Sequence, residues 1–236
     1  MNRPKTIIHI LCGLDGKITG PFMGTEAART VSGEYGIIRG NYQADAWLYG
    51  TVTTKEFTGF RKPEYSKPQA PVPPGDFAAE KNASLYYVSV DPLGEIGWES
   101  GTFRKSGRPD AHVIEILTEQ APEAYRAYLR SRGVSYILAG KDSLDCRIAG
   151  EKLFRMFEIR TMLICGGGTV NWTFLQQVDE VSLLLAPAAD GSPDSVSVFE
   201  QSPFLKESRP VEFHLKVVEG LVGDGVRLVY TVDSRE

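Results

Sequence analysis

The run Thr161-Met-Leu-Ile-Cys-Gly-Gly-Gly-Thr-Val-Asn171 passes from an apolar segment through three glycines into a stretch suited to a helix. A phosphate fits such a turn, because glycines let the backbone come close and the amides of a helix start supply donors at the positive end of its dipole. Ligands of open α/β sheets also collect beyond the carboxyl ends of strands, where this turn would lie. The spacing is neither G-x-G-x-x-G nor G-x-x-x-x-G-K-[ST], so the Rossmann and Walker readings do not apply. Glycines also serve strand-to-helix turns that bind nothing, and the triplet taken alone is accounted for by turn chemistry.

Two further stretches have comparable potential. Leu48-Tyr-Gly-Thr-Val-Thr53 places a glycine before hydroxyl side chains that can cap a helix or hydrogen-bond a ligand. Asp15, in Gly13-Leu-Asp-Gly-Lys17, puts a carboxylate at the end of an apolar run, where it can orient or protonate a bound heterocycle. An Asp-Gly pair is equally common in plain turns. The cysteines Cys12, Cys146 and Cys165 lie far apart with no C-x-x-C pair, so no structural zinc site or disulfide framework is expected.

The elements that must carry these residues follow from apolar periodicity and from the punctuation of Gly and Pro. Thr6 to Cys12 reads as a buried strand, Thr25 to Arg39 as containing a helix, Asp45 to Gly50 as a second strand and Thr51 to Phe57 as a short helix. Five prolines between Arg61 and Asp76 exclude regular structure and predict a long loop, suited either to a solvated connection or to a flap beside a ligand. Strands are expected at Ser84 to Val90 and Ala111 to Leu117, with a glycine-rich connection from Pro92 to Pro109 between them. Pro122 suits the first turn of a helix on which Tyr125, Tyr128 and Leu129 share a face, and Gly133 suits its end.

Strand Val134 to Ala139 follows, then a helix capped by Ser143 or Asp145 and running to about Phe157. Thr161 to Cys165 is the strand before the glycine turn, and a helix is expected from about Thr169 to Gln177. Val181 to Ala186 is another buried strand, and Val211 to Val218 with Val226 to Val232 form an antiparallel pair. This alternation predicts a single α/β domain over residues 1–236 with a mixed sheet covered by helices on both faces.

Of the 236 residues, 42% are hydrophobic and 24% charged, and the net charge is -4. That balance provides no large positive field for nucleic acid or an anionic membrane. No apolar run approaches the roughly 20 residues that span a bilayer. A reducing cytoplasm is the expected compartment.

Leu14-Asp-Gly-Lys-Ile18, Asp45-Ala-Trp-Leu-Tyr-Gly-Thr51, and Ile164-Cys-Gly-Gly-Gly-Thr169 through Phe174-Leu-Gln-Gln-Val-Asp-Glu180, in this order, resemble the dihydrofolate-reductase-like family. That family includes the C-terminal reductase domain of the bifunctional riboflavin-biosynthesis deaminase-reductase, a pyrimidine reductase. The resemblance runs from about Thr6 to Gly191, and its most specific part is the glycine turn with the following Val-Asp-Glu. It implies a three-layer fold with a mostly parallel sheet and an antiparallel C-terminal pair, NADPH as cofactor, hydride transfer to a ring or imine-like carbon, and a homodimer. It further implies that Gly50 and Thr51 contact the cofactor, that Gly166, Gly167, Gly168 and Thr169 hold its pyrophosphate, and that Asp15 is the catalytic group beside substrate and nicotinamide. The deaminase half's zinc-binding His/Cys signature does not occur, so only the reductase half is represented.

Two departures bear on substrate. Cys165 stands where the family has Glu before the glycines, and His9 where it usually has Lys, both at positions that the resemblance places on the substrate side. A buried thiol and a satisfied strand histidine are the plain readings of the same residues. The expectation is a reductase of a small polar heterocycle with altered substrate. Dihydrofolate or pterin reduction and a non-catalytic nucleotide-binding protein of the same fold are the alternatives. No single arginine stands out for a 2′-phosphate, for which Arg61, Arg104 and Lys141 are candidates.

Overall fold

The computed structural model describes residues 2–65, 71–201 and 209–232. Its residues form two compact units that interleave along the chain: the N-terminal stretch to Pro4 with Asp45–Met162, and Lys5–Ala44 with the chain from Leu163 onward. Ten strands and five α-helices lie among the described residues, in the α/β order that the sequence implies.

The first unit holds β2 (Ala46–Gly50), α2 (Thr51–Phe57), β3 (Tyr86–Val90), β4 (Thr102–Phe103), β5 (Ala111–Leu117), α3 (Glu123–Ser131), β6 (Ser135–Leu138) and α4 (Cys146–Phe157). Strands β2, β3, β5 and β6 run parallel in that spatial order. They are buried almost without interruption, which is why they read as continuous apolar runs and not as alternating ones. β4 is a short antiparallel addition against the first two residues of β5, inside the connection expected to be irregular. Only two residues long, it carries no periodic signal.

α3 buries Tyr125, Tyr128 and Leu129 as expected, but Pro122 sits at its N-cap and not in its first turn. Asp145 is the cap of α4, its carboxylate accepting the Ile148 amide at 2.9 Å. Within the proline-rich segment, 66–70 lie outside the described residues. The far end of that segment is stitched down: Asp76 accepts the Leu138 amide and the Lys152 ammonium, each at 2.8 Å, and Phe77 bridges to Tyr136. That end is an anchored connection along β6.

The second unit holds β1 (Lys5–Cys12), α1 (Glu26–Asn41), α5 (Gly168–Phe174), β8 (Glu180–Leu185), β9 (Phe213–Gly220) and β10 (Val226–Val232). β7 (Thr161–Ile164) spans the boundary between the units and stops one residue short of the expected Cys165. β1 runs parallel to β8, β10 antiparallel to β8, and β9 antiparallel to β10. Leu11, Phe22, Ala28, Val31, Ile38, Leu184 and Ala186 form a buried cluster that seats α1 on β1 and β8. The helix expected from Thr169 to Gln177 begins at Gly168 and tightens into a 3₁₀ turn over Leu175–Gln177.

Replacing Asp145 with Ala removes the acceptor for an otherwise orphaned amide and should cost about 1 kcal/mol, read as a lower urea midpoint with an unchanged slope. An unchanged midpoint would show that the cap contributes nothing.

Candidate functional site

The glycine turn of the second unit is built against two loops that are laced to each other. Residues 13–22 leave β1 and residues 186–200 leave β8. Between them Leu14 N donates to Ala188 O, Ile18 N to Val196 O and Val198 N to Gly16 O, each at 2.8–2.9 Å. Side chains tighten the seam. Asp15 Oδ2 accepts the amides of Asp190 and Gly191 at 2.8 Å, Lys17 Nζ donates to Ser195 O at 2.7 Å, and Asp190 accepts from the Phe22 amide and the Ser195 hydroxyl.

Asp15 is exposed, and the Gly191 amide foremost, with those of Asp190 and Lys17, holds its carboxyl below the usual range. A carboxylate so well supplied with donors keeps its charge. In this structure Asp15 fastens a loop as a carboxylate that holds no proton.

The glycines divide into two kinds. Gly166 adopts φ 128°, a conformation that side chains rarely take, although a Cβ there would meet only Ile10 Cδ1 at 3.6 Å. Gly168 has no room at all: a Cβ would stand 2.2 Å from Ser197 O, and its carbonyl accepts the Glu200 amide. Its glycine is demanded by the 195–200 loop and by itself says nothing of a ligand. Gly167 and Thr169, by contrast, are half-exposed at the start of α5, where helix geometry leaves amides without intrahelical partners.

One turn further, Asn171 is fully buried. Its Nδ2 donates to Val198 O at 2.8 Å, and its Oδ1 has no partner. Sequence reasoning passed over Asn171, Lys17 and Asp190, because each acts through a partner more than 25 residues away or through a loop with no periodicity.

His9 does not face a ligand. It is fully buried in β1, stacked on Tyr35 with ring centroids 4.4 Å apart and edge-on to Tyr42. Its Nε2 lies 3.1 Å from Tyr35 O, a group that only accepts, so Nε2 carries the hydrogen and Nδ1 accepts from the Ser182 hydroxyl at 3.2 Å. The expectation of a substrate contact is therefore corrected: both ring nitrogens are already used inside the core. Burial above all, with Arg227 and Arg39 adding to it, pushes the imidazole down to about 4. Cys165 is buried just past β7, its Sγ 3.9 Å from Leu163 O.

Gly50 and Thr51 belong to the first unit. Gly50 is the N-cap of α2 with an extended backbone, φ -78°, that any residue can adopt. The Thr51 hydroxyl caps nothing and donates to Val90 O at 2.6 Å, tying the helix start to the end of β3. Of the phosphate-binding candidates, Arg61 pairs with Glu99 and Arg104 with Asp110. Among the described residues no group of three or more His, Cys, Asp or Glu is arranged to hold a metal ion, and no helix is long and apolar enough to cross a membrane.

The sequence profile of the RibD C-terminal domain matches residues 106–225, just over half of the chain, and takes in the glycine turn, α5 and the loop that laces to Asp15. The chain belongs to the RibD C-terminal domain family.

Solved structures with the same fold include a pyrimidine reductase-like protein of Corynebacterium diphtheriae. Its TM-score is 0.68 at 17% identity, with 100% of this chain and 94% of that one covered. The riboflavin biosynthesis reductase of Saccharomyces cerevisiae gives 0.62 at 15% identity, covering 99% and 91%. The deaminase/5-amino-6-(5-phosphoribosylamino)uracil reductase of Thermotoga maritima gives 0.62 at 21% identity, and the 98% of this chain that aligns spans 57% of that one. At these identities the likeness speaks for the fold, a mixed α/β sheet closed by an antiparallel pair. The expected reductase-domain family is thus borne out, with the profile taking in the third of the three sequence stretches.

The His9 environment sets a pH dependence. Its folded value of about 4 lies below the ordinary 6.5, so between these the unfolded chain binds more protons. The contribution is complete above about pH 6.5 and is lost as pH falls toward about 4, on the order of 3 kcal/mol in all. Urea unfolding of wild type and His9→Gln should show a steeper acid loss in the wild type across this window, and parallel curves would refute a neutral, buried His9.

Proposed function

We propose that this RibD C-terminal family protein is an NADPH-dependent reductase of a small polar heterocycle, of the riboflavin-pathway aminouracil reductase type, acting in the cytoplasm. The observation that carries the reading is the family match across the Cys165–Thr169 turn, together with the half-exposed Gly167 and Thr169 at the start of α5. A pyrophosphate there would take the free amides of the first helical turn and the positive end of the α5 dipole. Gly166 supplies the backbone conformation, and Gly168 lets the 195–200 loop close behind the turn. Gly50 and Thr51 are the second set of proposed cofactor contacts. The hydride chemistry itself belongs to the cofactor, and the protein's share is to hold the ring and acceptor and exclude water.

Asp15 acts in this reading as a positioning residue: its carboxylate fixes the 188–191 segment against the loop leaving β1. The altered-substrate reading now rests on Cys165, since His9 is spent in the core. A thiol in place of a carboxylate removes an anionic acceptor, and a site that has lost an acceptor loses discrimination for the substrate that offered the matching donor. Wild-type protein is therefore expected to oxidise NADPH faster with another pyrimidine or pterin than with the diaminopyrimidinone ribosyl phosphate. A rate with that riboflavin precursor above all others in the same screen would restore the usual substrate. NADPH binding without oxidation by any acceptor would favour a non-catalytic nucleotide-binding protein.

Thr169→Asp tests the cofactor assignment without threatening the fold, because an acidic residue in a first helical turn is favourable to the helix. The added charge should weaken NADPH binding on the order of tenfold or more in titration calorimetry, the effect of about 1.4 kcal/mol of repulsion. Equal affinity in the folded variant would remove the pyrophosphate from this turn.

We also propose a homodimer. Among the described residues β9 is paired only with β10 and is exposed along almost its whole length, with Leu215 and Val218 56% and 63% exposed. An apolar strand of this kind invites pairing with another chain. Light scattering should return about twice the 26.0 kDa chain mass, and a monomer at micromolar concentration would leave the edge to some other partner.

A further inference from the structure

The first unit contains two acids that the reductase reading does not use. Glu115, in the middle of β5, and Asp91, the residue after β3, are both fully buried. They are differently provided for. Asp91 Oδ2 accepts the amides of Glu95 and Ile96 at 2.7 and 3.0 Å; the one hydrogen of the Tyr125 hydroxyl lies nearer Ile96 O, at 2.9 Å, than Asp91 Oδ2, at 3.3 Å, and Asp91 Oδ1 is buried without a partner among the described residues. Glu115 has one, the Trp98 indole N–H on Oε1. Its Oε2 is buried without a partner at ordinary geometry, and so is the hydroxyl oxygen of Ser89. Ser89 is the residue directly opposite Glu115 in the β3–β5 register and acts on its carboxyl.

Two neighbouring buried carboxyls cannot both carry charge cheaply, and the proton stays on the one whose anion has fewer donors. We propose that Glu115 is held as a neutral carboxylic acid, its Oε2–H donating to Ser89 Oγ and its Oε1 receiving Trp98, and that this proton is the latch that closes the 91–98 segment over β3 and β5. In that state one hydrogen joins Glu115 Oε2 to Ser89 Oγ, and Asp91 alone keeps a negative charge, supported by two amides on Oδ2 while its Oδ1 stays unpartnered among the described residues. Deprotonation would send the proton to solvent and set a second buried anion against Asp91. Relief of that repulsion would come from loosening of the 91–98 segment, which Asp91 and Glu115 fasten through the Glu95 and Ile96 amides and the Trp98 indole.

The groups facing Glu115 do nothing to stabilise an anion beyond hydrogen bonding: Tyr87 and Ser89 from β3, Asp91 after it, Trp98 from the following connection and Tyr125 from α3. Burial first, then the Asp91 charge, raises the Glu115 carboxyl well above its ordinary range. The folded state therefore binds the extra proton, and the stability that it lends is lost as pH rises from the ordinary carboxyl range through the raised folded one.

Glu115→Gln copies the neutral acid atom for atom, with an amide N–H toward Ser89 and a carbonyl toward Trp98. Infrared difference spectra of the wild type at neutral pH should show the carbonyl stretch of a protonated carboxylic acid, lost in Glu115→Gln. Amide exchange at Glu95 and Ile96, corrected for its intrinsic pH dependence, should accelerate several-fold in the wild type as pH is raised above neutral and stay level in Glu115→Gln. Absence of the acid band from wild type, its persistence in Glu115→Gln, or equal exchange in wild type and Glu115→Gln would each overturn the latch. None of these readouts involves NADPH, so their outcome is separate from that of the proposed reductase activity.

Discussion

The contact on which the candidate site depends is the carboxylate of Asp15 on the amides of Asp190 and Gly191. It joins the loop leaving β1 to the loop leaving β8, and that second loop lies so close to Gly168 that no other residue fits there. A strand-to-helix turn is rigid only if something holds its outer side. Here the 195–200 segment does so, through Ser197 O against Gly168, Glu200 N on Gly168 O and Val198 O on Asn171. The turn and the acid, which look like separate motifs along the chain, are parts of one construction.

The same unit solves a second problem in its interior. His9 brings a titratable ring into a strand with no exposed surface, and the fold keeps it neutral by giving Nε2 an acceptor and Nδ1 a hydroxyl donor. Arg227 then spans Ser182, Tyr42 and Glu219, so its charge reaches the edge of the unit while its stem stays covered. The imidazole is thereby absorbed into the packing of the second unit.

In the first unit the corresponding device is acidic. Asp91 follows β3 and caps the turn after it, while Glu115 sits among aromatic rings with the Trp98 indole on Oε1 and Ser89 opposite in the register. Both units thus bury ionisable side chains in the centre of parallel strands. Such groups are tolerated when the proton inventory is arranged so that few net charges remain inside.

Much of this protein was legible in its sequence. Parallel strands buried on both faces must be continuous apolar runs, so β1, β2, β3, β5, β6 and β8 announce themselves, while α4 follows from its Asp145 cap and α3 from Tyr125, Tyr128 and Leu129 at helical spacing. The order of three turns was enough to point to the family. Tertiary structure alone decided what the marked residues do. That His9 is sealed in the core, that Asp15 is occupied by amides 175 and 176 residues away, that Gly168 serves a loop and that Glu115 faces Ser89 all depend on which segments come to lie side by side. Periodicity reports how a residue faces its own strand or helix, whereas hydrogen-bond partners and local dielectric are set by distant segments that leave no mark on the sequence around it.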